Sequence, residues 1–128
     1  MKHMLVIDDD VETRHYLMAL LTDEGYSVQE VGDGHEGLAF LRGAPYAYVV
    51  LLDYLMPNFN GFDVLRAAFG EPGMFQRHRF IIMTSLPGRI VPPELAVFMT
   101  NRDIPLLHKP FDFDDVLQAV EDSWQHLL

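Results

Sequence analysis

The stretch that most restricts the fold is "AYVVLLD", Ala47 to Asp53, an unbroken apolar run ending on a carboxylate. A strand with one wet face alternates apolar and polar residues. A strand covered on both faces reads as a continuous run. "HMLVI" (His3–Ile7) and "RFIIMTS" (Arg79–Ser85) have the same character. Such a sheet needs helices on both faces, and the intervening segments have helical spacing. Leu17, Leu20 and Leu21 share a face behind Asp10, a residue suited to helix capping, and Gly25 closes that helix. Asp33–Gly34 opens a short helix carrying Leu38 and Leu41, stopped by Gly43–Pro45. Phe62, Leu65 and Phe69 recur at near-helical spacing, Pro92–Pro93 begin a helix with Leu95, Phe98 and Met99, and a long stripe runs Phe113, Val116, Leu117, Val120, Trp124, Leu127. "YSVQEV" (Tyr26–Val31) and "IPLLHK" (Ile104–Lys109) complete five strands. "QRHR" (Gln76–Arg79) reads as a solvated loop, as charge runs generally are.

Five strand–helix pairs predict an α/β fold: a doubly wound parallel sheet with right-handed crossovers, flavodoxin-like strand order 2-1-3-4-5, and five helices. A single domain over residues 1–128 has room for such a core. Nineteen acidic residues against nine basic ones give a formal charge of −10, which argues against direct contact with a nucleic acid duplex. The lack of cysteine excludes disulfides, thiolate metal sites and cysteine nucleophiles. No apolar run approaches the roughly 18 residues that span a bilayer, and "MKHMLVIDDD" is not a signal peptide. The expected compartment is the cytoplasm, without membrane contact.

In sheets of this kind ligands bind outside the carboxyl ends of the strands. There the chain has Asp8, Asp9 and Asp10 after the first strand, Asp53 after the third, Thr84–Ser85 after the fourth and Lys109 after the fifth. Each has a plain reading taken singly: capping, a turn-starting acid, a loop hydroxyl, a surface lysine. Brought together they form a different object. Clustered carboxylates repel, and a hard dication such as Mg²⁺ relieves them by taking one or two carboxylates plus phosphate oxygens. A lysine and a hydroxyl suit the remaining phosphoryl oxygens. The six histidines (His3, His15, His35, His78, His108, His126) show no ligand spacing and read as surface or packing residues.

The segments "LVIDDD", "VGDGHEGLAFL", "VVLLDYLMPNFNG", "IIMTS" and "HKPF", in that order, resemble a response-regulator receiver domain of two-component phosphorelay systems over nearly the whole chain. The resemblance implies a CheY-like fold and a role for each rim residue. Asp53 is the expected phosphoacceptor, supplied by a sensor histidine kinase or a histidine phosphotransfer protein. Asp8, Asp9, Asp53 and the backbone carbonyl of Leu55 are the expected Mg²⁺ ligands. Thr84 is the expected switch hydroxyl and Lys109 the expected phosphoryl-pairing lysine, followed by a cis bond to Pro110. Such a domain is a signalling switch rather than an enzyme with turnover. Its output is a change of contacts with a downstream protein, and monomer or weak dimer formation is expected through the fourth helix, fifth strand and fifth helix, where Phe98, Met99 and Leu106 could present apolar area.

The chain departs from that family in its output region. Leu106 stands where an aromatic residue is expected to swing inward. "TNRDIP" (Thr100–Pro105) replaces a Gly-Ala pair, "LPGRIVPPE" (Leu86–Glu94) carries three prolines, and Asn60 replaces the acid common before Gly61. The final helix reaches the C-terminus, so a stand-alone regulator is the expectation. Two rival readings follow from the same residues. "LVIDDDVET" also resembles the first motif of haloacid-dehalogenase-type phosphohydrolases, with Asp8 as nucleophile and Asp10 as acid/base. A receiver fold used as an unphosphorylated binding module is the other.

Overall fold

The computed structural model describes residues 1–87 and 91–127. Five strands, β1 (His3–Ile7), β2 (Ser27–Val31), β3 (Tyr48–Asp53), β4 (Arg79–Thr84) and β5 (Leu106–His108), form one sheet in the order β2-β1-β3-β4-β5. All four pairings are parallel. The helices among the described residues are α1 (Val11–Asp23), α2 (Gly34–Arg42), α3 (Gly61–Phe69), α4 (Met74–Arg77), α5 (Pro93–Asn101) and α6 (Phe113–Gln125).

The continuous apolar strands sort residue by residue onto the two faces, as the pleat requires. Met4, Val6, Val49, Leu51, Ile81 and Met83 join one core with Leu17, Leu21, Val116, Val120 and Trp124 of α1 and α6. Leu5, Ile7, Val50, Leu52, Phe80 and Ile82 join the other, with Leu38, Leu41, Val64, Leu65, Leu95 and Met99 of α2, α3 and α5. Every residue of β3 is buried, including Asp53.

Six helices stand among the described residues where five were expected. The additional one, α4, is a single turn beginning after Gly73, whose φ of +81° is a conformation glycine adopts without steric cost. Four residues are too few for helical periodicity to show in a sequence. It also corrects the solvated-loop reading of Gln76–Arg79. Gln76 and Arg77 are exposed, but Arg77 Nη2 donates to the Ala44 carbonyl at 2.6 Å, and His78 is buried with its Nδ1 accepting from the Tyr48 amide at 3.0 Å. Burial, helped by the Arg77 charge, lowers the His78 pKa to about 4.

Two expected core positions lie outside it. Phe113 begins the α6 stripe yet is exposed, and Phe69 at the end of α3 is 54% exposed. Phe69 instead joins an aromatic group between α3, α4 and α5: the Phe98 ring lies 5.7 Å from Phe62, 5.8 Å from Phe69 and 6.2 Å from Phe75, each edge-on. The Arg102 guanidinium sits over both Phe98 and Phe69, 3.8 and 4.1 Å from their centroids. Met99 is buried with Leu95, as their shared helix face implies, and so presents no apolar area, whereas Val97 is 60% exposed. Pro93 occupies the first turn of α5, as expected, and residues 88–90 of the proline-rich segment before it lie outside the described residues.

Candidate functional site

The sheet register brings the rim residues to one level. Ile7 pairs with Leu52, so Asp8 and Asp53 leave adjacent strands together. Asp53 pairs with Met83, Thr84 follows Met83, and Thr84 pairs with His108, the residue before Lys109. The Lys109 amide donates to the Thr84 carbonyl at 2.7 Å, which ties the exits of β4 and β5.

Lys109 Nζ then spans the two buried carboxylates, 2.7 Å from Asp8 Oδ2 and 3.3 Å from Asp53 Oδ1. The Asp8 side chain is fully buried and that of Asp53 5% exposed. Asp8 Oδ1 accepts from the Asp10 amide at 2.9 Å. One ammonium between two buried acids is insufficient compensation. Burial first, and the Asp8 charge second, raise the Asp53 pKa to about 7 against the opposing pull of Lys109. Burial also works against the Lys109 charge, but the Asp8 and Asp53 carboxylates outweigh it and hold its pKa above the ordinary value.

Asp9 is exposed and completes the acidic group, since one oxygen from each of Asp8, Asp9 and Asp53 lies within 4.8 Å of the others. An octahedral Mg²⁺ with bonds of about 2.1 Å needs oxygens about 3.0 Å apart when adjacent and about 4.2 Å apart when opposite. All three oxygens lie within 4.8 Å of one another, close enough for one cation to gather them, and the all-oxygen donor set suits a hard cation. The Asp8 charge, which adds to burial in raising Asp53, is charge that a dication would neutralise.

The loop after β3 is held by local features. Asn60 caps α3 in a reciprocal box with Asp63, each side chain accepting from the other's amide at 2.9 Å. This accommodates the replacement of an acid at position 60, because an asparagine oxygen caps as well as a carboxylate. Gly61 donates from its amide to the Tyr54 carbonyl at 3.0 Å, and a Cβ there would lie 2.7 Å from the Asp53 carbonyl oxygen. Only glycine fits so close to the backbone that carries Asp53. Leu55 stands on this loop with an exposed side chain.

The expected residues thus divide. Asp8, Asp9, Asp53 and Lys109 converge. Thr84 lies at the same rim, buried, with its hydroxyl oxygen accepting from the Leu86 amide at 3.1 Å. Asp10 does not join them: its carboxylate caps α1, accepting from the Glu12 amide at 3.2 Å and from the Thr13 hydroxyl at 2.6 Å. The hydroxyl bond is the main cause that lowers its pKa. The Lys109–Pro110 bond is cis, as the resemblance implied. His108 bonds the Leu86 carbonyl through Nε2 at 2.6 Å and takes no part in the acidic group. A feature that sequence reasoning missed is Arg14, which donates from Nη1 to the Asp8 carbonyl at 2.7 Å and from Nε to Glu30 at 3.0 Å. Contacts between residues 14 and 30 have no local sequence signal.

Parallel order 2-1-3-4-5, with carboxylates and a lysine gathered at the strand exits, defines a doubly wound α/β domain of the receiver class. Comparison with known proteins agrees. The model of the response regulator receiver domain family matches residues 4–121. A protein of Rhizobium etli described as a probable chemotaxis protein CheY is 29% identical over 119 residues, 92% of this chain and 88% of that protein. The DNA-binding response regulator MtrA of Mycobacterium tuberculosis is 34% identical over 73 residues, 57% of this chain and only 32% of MtrA. Among solved structures, Vibrio cholerae chemotaxis protein CheY4 superposes with a TM-score of 0.79 at 25% identity, covering 96% of this chain and 98% of CheY4. The receiver domain of Francisella response regulator 1452 gives 0.82 at 21% identity over the full length of both chains. The chain belongs to the response regulator receiver domain family and is a domain of two-component signalling. The phosphohydrolase alternative is not favoured: the family model that matches is that of the receiver domain, and the alternative's acid/base, Asp10, is committed to capping α1. No helix among the described residues is long and apolar enough to cross a membrane.

Proposed function

We propose that Asp53 accepts a phosphoryl group from a phosphohistidine of a sensor histidine kinase or histidine phosphotransfer protein, and that the product changes the contacts of the domain with a downstream protein. The observation that carries this reading is the pair of buried carboxylates, Asp8 and Asp53, spanned by one lysine. An Asp53 oxygen forms the new O–P bond as the N–P bond breaks, and the electron pair remains on the imidazole. Positioning and electrostatics dominate such transfers. Asp8, Asp9, Asp53 and the Leu55 carbonyl would hold Mg²⁺, which neutralises charge on the reacting carboxylate and the phosphoryl oxygens. Lys109 is placed to pair with a phosphoryl oxygen after releasing Asp53. Thr84, two strands away from β1 at the same rim, is the hydroxyl assigned to the third oxygen.

By analogy with phosphoserine, the product adds about 1.5–2 negative charges and several acceptors where the unmodified site already holds excess charge. Bonds that Thr84 and Lys109 make only in that state supply the differential free energy a two-state switch requires. The reading treats residues 1–128 as one cytoplasmic domain, monomeric or weakly dimeric before modification. Intact mass after incubation with acetyl phosphate and Mg²⁺ tests the chemistry. The expected result is a labile gain of one phosphate in the wild type and none in Asp53→Asn. Equal labelling of both proteins would remove Asp53 from its assigned role.

A further inference from the structure

We infer that Arg14, anchored by Glu30, is a positioning residue for the metal-binding carboxylates. The inference rests on the reading of Asp8, Asp9 and Asp53 as a Mg²⁺ site. Asp8 is buried, and a buried backbone polar group without a partner is costly. Its amide donates to the Val31 carbonyl at 3.3 Å, and its two carboxylate oxygens accept from the Asp10 amide and from Lys109. Its carbonyl is held by the Arg14 guanidinium at 2.7 Å. That carbonyl lies in the same rigid peptide plane as the Asp9 nitrogen and Cα. Fixing it therefore fixes the direction in which the chain enters Asp9, the exposed member of the group.

Arg14 can hold that plane because it is itself held. Its Nε donates to Glu30 on the edge strand β2 at 3.0 Å, and the side chains of Arg14 and Glu30 are only 15% and 24% exposed. Gly32, just beyond β2, lies beside the guanidinium: a Cβ there would sit in ordinary van der Waals contact with Nη1, at 3.5 Å. The fork geometry of arginine lets one side chain reach the two partners through separate nitrogens, Nη1 and Nε, whereas a lysine offers a single nitrogen.

Charge and positioning predict opposite outcomes. Removing a cation beside an acidic cluster should tighten dication binding if only charge matters. If Arg14 positions the carboxylates, its loss should weaken binding, by about tenfold or more as for other residues that orient metal ligands. The test is Mg²⁺ titration of the unphosphorylated full chain by calorimetry, with the Asp8–Asp10 amides followed by NMR. Arg14→Met should raise the Mg²⁺ Kd about tenfold and shift these amides, while Arg14→Lys and Glu30→Ala should give intermediate values. Arg42→Met breaks a different arginine–glutamate pair, Arg42–Glu71, and should leave the Mg²⁺ Kd unchanged. Unchanged or tighter binding in Arg14→Met, with the wild type binding Mg²⁺ normally, overturns the positioning role. A wild type that binds no Mg²⁺ overturns the site reading instead.

Discussion

Without metal, Asp53 should destabilise the fold at neutral and alkaline pH, and Asp53→Asn should reveal by how much. The folded-state pKa is raised from 3.8 to about 7 by burial and the Asp8 charge. Between those values the folded state holds a proton that the unfolded chain has released. Stability from this group is therefore complete below pH 3.8 and is lost as pH rises toward 7. A shift of about 3 units corresponds to about 4 kcal/mol. Asparagine keeps the size of the side chain and cannot ionise. In urea unfolding without Mg²⁺, Asp53→Asn should match the wild type near pH 4 and exceed it by a few kcal/mol at pH 8, with the gap opening across that interval. Saturating Mg²⁺ should stabilise the wild type selectively, by about 2.7 kcal/mol at a hundred times its Kd. A gap at pH 8 that is absent, or that stays constant from pH 4 to pH 8, would refute the account of a buried, under-compensated carboxylate.

His78 should act in the opposite direction. Its pKa falls from 6.5 to about 4 on folding, so stability is lost as pH drops through that window, by about 3 kcal/mol at most. His78→Phe should remove this pH dependence and, by leaving the Tyr48 amide without an acceptor, cost about 1–3 kcal/mol at pH 7 in the same urea assay. Gly61→Ala, whose Cβ would press on the Asp53 carbonyl, should slow labelling by acetyl phosphate at least about tenfold while the protein remains folded by circular dichroism. Asn60→Ala should lower the urea midpoint by an amount equivalent to about 1 kcal/mol through loss of the α3 cap.

The strands were legible because burial on both faces leaves so direct a mark. Val49 and Val50 go to opposite cores, yet both must be apolar, and the run through Leu52 announces a central strand. Asp53, Asp8, Asp9 and Lys109 were legible as a group because topology alone aligns strand exits. Arg14 was not, since its role depends on a side chain reaching from one turn of α1 to the edge of β2. The α4 turn escaped for lack of length, and His78 because one histidine in a basic run looks solvated until Tyr48 is seen to donate to it. Phe69 was misplaced for a related reason: helical spacing says which residues share a face but not what lies opposite it.

The ring assembly around Phe98 has a mechanical consequence. Leu106 provides no aromatic lever on β5, whereas Phe98 of α5 meets rings carried by α3 and α4, and Arg102 clasps it to Phe69. Sliding α5 along its axis would have to unseat all of these contacts at once, so its travel is geared to both ends of α3 and to the turn of α4.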